Sequence, residues 1–389
     1  MQRVLNLWRE DAVPVTESDA YILGECFPLN KTVDGGAQFS SDFRRRAGEV
    51  LWLMYRTQFP APIPRDPAGP SPLLQNVNAF FHTGPSGIQA SSMLDSFSSD
   101  VGWGCMIRTG QSLLANALVR LGNEPLETVR SFRDEPDAPY SIHKFVDYGA
   151  AHCGKRPGEW FGPSAVASCI SAFAKPTIST YIAQGMDVYE PDIMDMAFPV
   201  LVLVNLRLGI NEINPVYYEG LRALLQNKYS VGISGGRTAA SHYFYGVQGT
   251  QLFYHDPHDP KPALTAESTD DDVRASLESA NLRALKFEDM DPSMLVGFLL
   301  PTRDDFAEFK ELLEKVPFNE RVIHIMTRKP SMENLDLASE DEEDGEMEAD
   351  PNRSETDGGF VVCSTPEPEV PESIEAKEPG EESMTEVKA

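Results

Sequence analysis

Residues 98–114 of this chain read SSDVGWGCMIRTGQSLL, and Cys105 stands where a glycine-rich turn gives way to a helical pattern. Apolar residues then recur at helical spacing, at Ile107, Leu114, Leu118 and Leu121. The pattern predicts a helix that begins beside Cys105. Unpaired N–H groups and the dipole at a helix N-terminus favour a thiolate over a thiol. Cys105 is therefore a candidate nucleophile, and the alternative is a cysteine buried as a small apolar residue.

A second polar motif ends a short apolar segment and reads FYHDPHDP at residues 253–260. In an extended segment, residues two apart lie on the same side, so Asp256 and His258 can face the same thiol. Pro257 and Pro260 restrict the backbone around them. The motif predicts a carboxylate–imidazole pair that activates a nucleophile, and the alternative is a polar turn without a catalytic role.

The residues alone leave the identity of the base open. The chain order of papain-like proteases is Cys, His, then Asn or Asp, and it selects Cys105, His242 and Asp256. The spacing is equally compatible with His258 as the base.

A metal site is a further alternative, with the candidate ligands His255, Asp256, His258 and Asp259. No matching His/Cys pair stands elsewhere in the sequence, and the prolines splay these side chains. We therefore predict no metal and no cofactor.

Several motifs resemble those of the autophagins, the autophagy-related protein 4 cysteine proteases. In the family's order they are GWGCMIR at 102–108, WFGPS at 160–164, LRLG at 206–209, GGR at 235–237, HYF at 242–244 and DPH at 256–258. The resemblance spreads over most of the first 330 residues. It implies an α/β (α+β) chain with a papain-like cysteine protease fold, in which the nucleophile lies on a helix and the base on a sheet.

The same resemblance implies a role for individual residues. Cys105 is the nucleophile, His258 the general base, and Asp256 the group that orients the imidazole. Tyr55 donates to the oxyanion beside the backbone N–H of Cys105, because negative charge grows on the carbonyl oxygen during acyl transfer. His242 then becomes a structural residue near the site.

Substrate-binding residues are also implied by the resemblance. Trp160 matches a tryptophan that lies over the active-site groove, and Gly236, Arg237 and Thr238 match a loop that closes over it. A large ring above the groove admits only a narrow, extended segment such as one that ends in glycine. The loop departs from the family pattern at Thr238, where a proline is frequent, and at Ala240, where a serine is common.

The activity that the resemblance implies is cleavage after the C-terminal glycine of the ubiquitin-like autophagy modifier. One reaction matures the modifier's precursor, and the other releases the modifier from phosphatidylethanolamine. The implied partner is this modifier in both forms, with membrane contact only through it, and we expect a monomer. Two alternatives stay open: a non-catalytic scaffold that binds the modifier, and another papain-like deconjugase that acts on ubiquitin-like proteins.

Composition points to a globular intracellular protein. The chain has 389 residues and 41% hydrophobic residues, which suffices for a large core. Its 5 cysteines are scattered and odd in number, so they do not indicate a disulfide framework. We expect the protein in the cytoplasm, with the nucleus and autophagosome-forming membranes as further locations. The longest apolar run, residues 197–204, is shorter than the roughly 20 residues of a membrane-spanning helix and predicts a buried strand.

Negative charge is concentrated at the C-terminal end. The net charge is −27, and residues 331–389 contain 20 acidic and 3 basic residues, a net charge of −17. Phe360 is the only aromatic residue among them. Such a segment buries too little apolar surface to fold, and its charge disfavours nucleic acid and anionic membranes as direct partners.

The predicted organisation has three parts. Residues 1–18 form a flexible N-terminal segment, residues 19–330 the protease domain, and residues 331–389 a disordered acidic tail. Within the domain, a small extra subdomain is expected over about 178–228. The predicted elements are a strand or buried segment at 49–55, helices at 162–173 and 304–315, strands at 199–205, 231–234, 242–248 and 251–255, and a turn at 249–250.

Overall fold

The computed structural model describes residue 13 and residues 15–31, 37–73, 95–236, 240–277 and 282–329. The α-helices are α1 (Ser41–Glu49), α2 (Cys105–Arg120), α3 (Pro125–Arg130), α4 (Ile142–His152), α5 (Pro163–Ala174), α6 (Glu190–Met194), α7 (Tyr218–Gln226), α8 (Asp270–Ala275) and α9 (Asp305–Glu314). The strands are β1 (Ala20–Ile22), β2 (Glu25–Phe27), β3 (Asn30–Lys31), β4 (Ala37–Gln38), β5 (Arg56–Thr57), β6 (Ile63–Pro64), β7 (Ser96–Phe97), β8 (Ser179–Gln184), β9 (Asp187–Tyr189), β10 (Val200–Arg207), β11 (Ser230–Gly235), β12 (His242–Gln248), β13 (Gln251–His255), β14 (Lys261–Pro262), β15 (Arg283–Lys286), β16 (Ser293–Leu300) and β17 (His324–Met326). Short 3₁₀ helices cover Pro215–Tyr217, Phe287–Asp289 and Phe318–Glu320.

A nine-stranded sheet forms the centre of the molecule, with the order β15-β13-β12-β11-β16-β10-β8. The strand β1 pairs with β12 and β2 pairs with β1. The strand pairs in this sheet are antiparallel except for β10 and β8, which are parallel. Both faces are buried. On β10, Leu201 and Leu203 join one core cluster while Val202 and Val204 join the other. This burial on both faces explains the continuous apolar run, because alternate residues of a strand point to opposite faces.

Helices cover the two faces of the sheet. On one face lie α2 and α5, and on the other lie α7 and α9. The helices α2 and α5 approach closely, because a Cβ added to Gly110 would lie 2.2 Å from a methyl carbon of Val166. The mixed α/β architecture predicted from the sequence is confirmed, and β12 and β13 have the predicted bounds. The turn between them contains Gly249 with φ +56°.

The segment before β5 is a buried segment and not a strand. Side chains of α2 satisfy its backbone: Asn116 Oδ1 accepts a hydrogen bond from Leu51 N (3.1 Å) and Asn116 Nδ2 donates to Leu51 O (2.7 Å). Ser112 Oγ accepts a hydrogen bond from Leu53 N (2.8 Å). Because buried backbone groups need partners, these side chains replace a neighbouring strand. The contacts attach the segment that ends in Tyr55 to α2.

Some predictions are not decided by the fold. The acidic tail at 331–389 lies outside the described residues, as do residues 1–12. The domain division stays a prediction. Within the block at 178–228, β8 and β10 hydrogen-bond to each other, and β10 also pairs with β16 of the central sheet. Among the described residues, none of the helices has the length and apolar character needed to cross a membrane.

A buried ion network joins the segments around the start of α2. Arg108 donates from Nε to Asp100 and from Nη2 to Asp134, each at 2.7 Å. Asp100 Oδ1 also accepts a hydrogen bond from the backbone N–H of Arg56 (2.6 Å), and Asp134 Oδ2 accepts one from Leu264 (2.9 Å). The side chains of Arg56, Asp100, Arg108 and Asp134 are at most 1% exposed.

We expect Asp134→Asn to lower the free energy of unfolding by about 3 kcal/mol, because it leaves a buried guanidinium with one carboxylate fewer. Urea denaturation measures the change. Glu49→Gln is the control, since Glu49 pairs with Arg45 at the surface and its loss is expected to cost less than about 0.5 kcal/mol. If the two variants lower the free energy of unfolding equally, the buried ion network does not stabilise the fold as we expect.

Candidate active site

Cys105 is the first residue of α2 and has no exposed surface. Two glycines allow the turn that places it there. Gly102 adopts φ +88°, and a Cβ added to Gly104 would lie 2.5 Å from a carboxylate oxygen of Asp100. The indole N–H of Trp103 donates to Ser99 O (3.1 Å) and fixes the same turn. The predicted helix start at Cys105 is therefore present in the structure.

Asp256 and His258 meet directly after β13. Asp256 Oδ1 accepts a hydrogen bond from the His258 backbone N–H (3.1 Å) and lies 2.5 Å from His258 Nδ1. The two side chains share one side, as predicted from the spacing. The pleat of a strand is not what brings them together. They meet in a turn beyond β13, in which the Asp256 carboxylate accepts the His258 backbone N–H.

Tyr55 lies against this pair. Its backbone N–H donates to Pro257 O (2.8 Å), and its carbonyl accepts from Lys261 N (3.0 Å). These two partners of Tyr55 lie on either side of His258 in the sequence. Its ring meets the His258 ring edge-on, with centroids 5.2 Å apart and an interplanar angle of 87°. Burial, followed by the charge of Cys105, raises the pKa of Tyr55 well above its usual value. The phenol is therefore protonated and able to donate.

The side chains around the thiol form a small apolar cluster. Tyr55, Val101 and Cys105 are buried in it, and the partly buried Trp160 packs against them. The indole nitrogen of Trp160 is buried without a hydrogen-bond partner. The structure thus brings Trp160 to the predicted nucleophile, Cys105.

The loop after β11 is only partly described. Gly236 donates its N–H to Ser293 O (3.1 Å) and adopts φ +146°. A Cβ at this position would lie 2.3 Å from Ala240 O, so the backbone there requires glycine. Arg237 and Thr238 lie outside the described residues, and their part in substrate binding stays a prediction.

Cys105 and His258 alter each other's ionisation. Burial by itself raises the pKa of the Cys105 thiol, but a hydrogen bond from His258 and the charge of its imidazolium outweigh burial and lower the pKa. Burial lowers the pKa of His258, yet the hydrogen bonds to Asp256 and Cys105 and their negative charges raise it to about 9. Each group thus favours the charged form of the other, thiolate for Cys105 and imidazolium for His258, which suits nucleophilic catalysis.

The alternative base, His242, lies at the edge of this arrangement. Its Nε2 is 3.8 Å from Asp256 Oδ1, and its ring centroid is 5.6 Å from that of His258. Burial lowers the pKa of His242 to about 4, so the ring is neutral at pH 7. The close carboxylate contact and the raised pKa both belong to His258.

The structure does not bring together the four candidate metal ligands named in the sequence analysis, His255, Asp256, His258 and Asp259. Among the described residues, the one group of ligand atoms close enough to hold an ion is His242, Asp256 and His258, within 4.8 Å of one another. His255 is instead stacked between the rings of Trp52 (4.8 Å) and Tyr245 (4.5 Å). The remaining group consists of the carboxylate–imidazole pair of Asp256 and His258, together with His242.

One charged residue at the site was missed by sequence reasoning. Arg283 Nη1 donates to Asp256 Oδ2 at 2.8 Å, while His258 uses the other carboxylate oxygen. Arg283 comes from β15, where it lies opposite Tyr254 of β13. Only strand pairing brings it there, and no motif marks it.

Fold and site define a papain-like cysteine protease. Residues 38–312 match the model of the peptidase C54 catalytic domain, and the chain belongs to that family. Curated relatives agree. The chain is 41% identical over 337 residues to "Probable cysteine protease atg4" of Sclerotinia sclerotiorum, covering 78% of this chain and 73% of the relative. It is 44% identical over 290 residues to "Cysteine protease atg4" of Emericella nidulans, covering 67% and 69%. It is 45% identical over 320 residues to "Cysteine protease 1" of Neurospora crassa, covering 73% and 59%.

We expect His258→Gln to raise the pH midpoint for alkylation of Cys105 by about one unit or more, because the thiolate loses its cationic partner. Substrate cleavage is expected to fall by roughly a hundredfold or more. His242→Gln is the matched variant, and its midpoint is expected to stay near that of the wild type, because His242 is already neutral. Peptide mass spectrometry after iodoacetamide treatment follows Cys105 alone.

The opposite result is equally informative. If His242→Gln remains folded by circular dichroism and loses activity as fully as His258→Gln, the papain-like chain order holds and His242 is the base.

Proposed function

We propose that this protease cleaves after the C-terminal glycine of the ubiquitin-like autophagy modifier, both in its precursor and in its phosphatidylethanolamine-linked form. The observation that carries the proposal is the arrangement around the thiol. Tyr55 and Trp160 pack with Cys105, the Tyr55 ring meets the His258 ring edge-on, and Asp256 lies 2.5 Å from His258 Nδ1. Membership in the peptidase C54 family and relatives named as autophagy-related cysteine proteases support it.

The reaction begins when the Cys105 thiolate attacks the carbonyl carbon of the glycine. The oxyanion accepts hydrogen bonds from the backbone N–H of Cys105 and from Tyr55 Oη, a buried group without another hydrogen-bond partner of standard geometry. His258 gives its Nε2 proton to the departing amine, which is either the peptide nitrogen or the nitrogen of phosphatidylethanolamine. The C–N bond breaks and a thioester of Cys105 remains.

Water completes the cycle. His258, now neutral, takes a proton from the water that attacks the thioester, and the thiolate leaves to form the ion pair again. Asp256 holds the imidazole through Nδ1 in both half-reactions, so Nε2 faces the reacting atoms. Because both leaving groups are amines, one site serves both substrates.

Steric access favours glycine at the cleavage point. Cys105 has no exposed surface, and Tyr55, Val101 and Trp160 pack around it. A glycine at the scissile bond has no side chain that would clash with these residues as its carbonyl approaches the sulfur. The lipid is then reached through the modifier and not by insertion of the protease. We propose a monomer that works in the cytoplasm and the nucleus and at autophagosome-forming membranes.

We expect the wild-type chain to remove a C-terminal reporter placed after the glycine of the unprocessed modifier and to release the modifier from liposomes that contain phosphatidylethanolamine. Cys105→Ala is expected to lose both activities while it still binds the modifier, because only the nucleophile is removed. Gel electrophoresis of the products measures both reactions.

The alternatives have distinct outcomes in the same experiment. A non-catalytic scaffold binds the modifier and releases neither product even as the wild type. A general deconjugase cleaves a matched ubiquitin–reporter fusion at a similar rate. Turnover by Cys105→Ala would exclude Cys105 as the nucleophile.

We expect Trp160→Ala to lower kcat/KM for the modifier by roughly tenfold or more, because the scissile bond loses a wall that positions it. Alkylation of Cys105 by iodoacetamide is expected to continue, since the ion pair with His258 is intact. Trp160→Phe keeps a ring and is expected to recover part of the loss. Cleavage by Trp160→Ala at the wild-type rate would contradict a positioning role.

A further inference from the structure

Three buried hydroxyl groups meet beneath the nucleophile helix. Thr109 Oγ1 lies 2.6 Å from Ser234 Oγ and 2.9 Å from Ser241 Oγ. All three side chains are fully buried. Thr109 is on α2, one turn beyond Cys105, whereas Ser234 lies near the end of β11 and Ser241 directly precedes β12. The cluster therefore connects the helix of the nucleophile to two strand ends.

The cluster also reaches the first turn of α2 and the end of β11. Thr109 Oγ1 donates to Met106 O (3.2 Å). Ser241 Oγ also lies 3.2 Å from Gly235 O and 3.2 Å from Met106 Sδ. Buried hydroxyl groups cost free energy unless they are paired, so removing one member leaves each of its neighbours with one partner fewer.

We propose that Thr109, Ser234 and Ser241 are positioning residues, which hold the first turn of α2, and with it the sulfur of Cys105, against the ends of β11 and β12. The inference rests on Cys105 as the nucleophile under the proposed function. Burial raises the pKa of Cys105, and the backbone N–H of Ser241 acts alongside His258 to lower it. An N–H group serves this purpose only while its backbone is fixed. The hydroxyl cluster supplies that constraint from the helix that carries the sulfur.

The other groups that face the thiol come from different elements. His258 follows β13 and Tyr55 precedes β5, and both interact with the sulfur. Behind His258, Asp256 Oδ1 lies 2.5 Å from His258 Nδ1, and His242 Nε2 lies 3.8 Å from the same carboxylate oxygen. None of these groups contacts the hydroxyl cluster through the hydrogen bonds described above. Substitutions in the cluster can therefore be separated from changes in the ion pair.

The test compares Thr109→Val, which keeps the shape and removes the hydroxyl, with Thr109→Ser, which keeps the hydroxyl. We expect Thr109→Val to raise the pH midpoint for iodoacetamide alkylation of Cys105 by about half a unit. We expect kcat to fall about tenfold with little change in KM, because the defect lies in the nucleophile and not in substrate binding. Thr109→Ser is expected to stay within about twofold of the wild type.

A matched control separates positioning from stability. Thr128→Val removes a buried hydroxyl of α3, where Thr128 Oγ1 donates to Glu124 O (2.9 Å) away from the thiol. We expect it to lower Tm to a similar extent as Thr109→Val and to keep the wild-type pH profile. If Thr109→Val does not fold, Ser241→Ala is judged by the same midpoint and the same kcat.

The inference is overturned if folded Thr109→Val, or folded Ser241→Ala in its place, keeps the wild-type midpoint and kcat. It is also overturned if Thr128→Val shifts the midpoint as far as Thr109→Val does. Alkylation needs no modifier, so a wrong substrate assignment leaves this readout intact. An error in the nucleophile would instead appear as turnover by Cys105→Ala.

Discussion

The buried pairing of Arg108 with Asp100 and Asp134 is the constraint on which the rest of the site depends. These charges have almost no contact with water, so each requires its partners, and the partners come from different parts of the chain. Asp100 belongs to the turn before Cys105, and Asp134 accepts a hydrogen bond from Leu264, beyond His258. Removing one partner from such a network leaves a buried charge uncompensated, so the network holds together the segments that it joins. A protease site needs such an arrangement, because its reacting groups come from distant positions in the sequence.

The nucleophile helix organises the site through three sets of side chains. Arg108 reaches the turn before the helix, Ser112 and Asn116 satisfy the backbone that leads to Tyr55, and Thr109 meets the hydroxyls at the ends of β11 and β12. Polar side chains of this helix therefore face the interior and bind several segments of the chain. Ser112 and Asn116 replace backbone partners that regular secondary structure would otherwise supply. The helix carries the nucleophile and also holds the segments that carry its partners.

Electrostatics in this interior depends on pairing. A thiol with no exposed surface would ordinarily stay protonated, and the pKa of Cys105 falls chiefly because His258 gives the thiolate a charged partner. His258 in turn keeps its proton because Asp256 lies 2.5 Å from it. Arg283 occupies the second carboxylate oxygen of Asp256 and leaves the first to the imidazole. His242 also lies near Asp256, but its Nε2 is 3.8 Å from the carboxylate, and burial keeps this ring neutral.

The sequence by itself determined the features that depend on local chemistry: the helix start at Cys105, the bounds of β12 and β13, the buried strand β10, and the carboxylate–imidazole pair at Asp256 and His258. Hydrophobic periodicity and turn residues act over a few neighbouring positions, so these features can be recognised in the sequence. Only the tertiary structure decided that His258 and not His242 holds the close carboxylate contact, that Arg283 reaches Asp256, and that Thr109, Ser234 and Ser241 converge. These contacts join residues far apart in sequence or depend on distances of an ångström, and both are set by the packing of the sheet against α2.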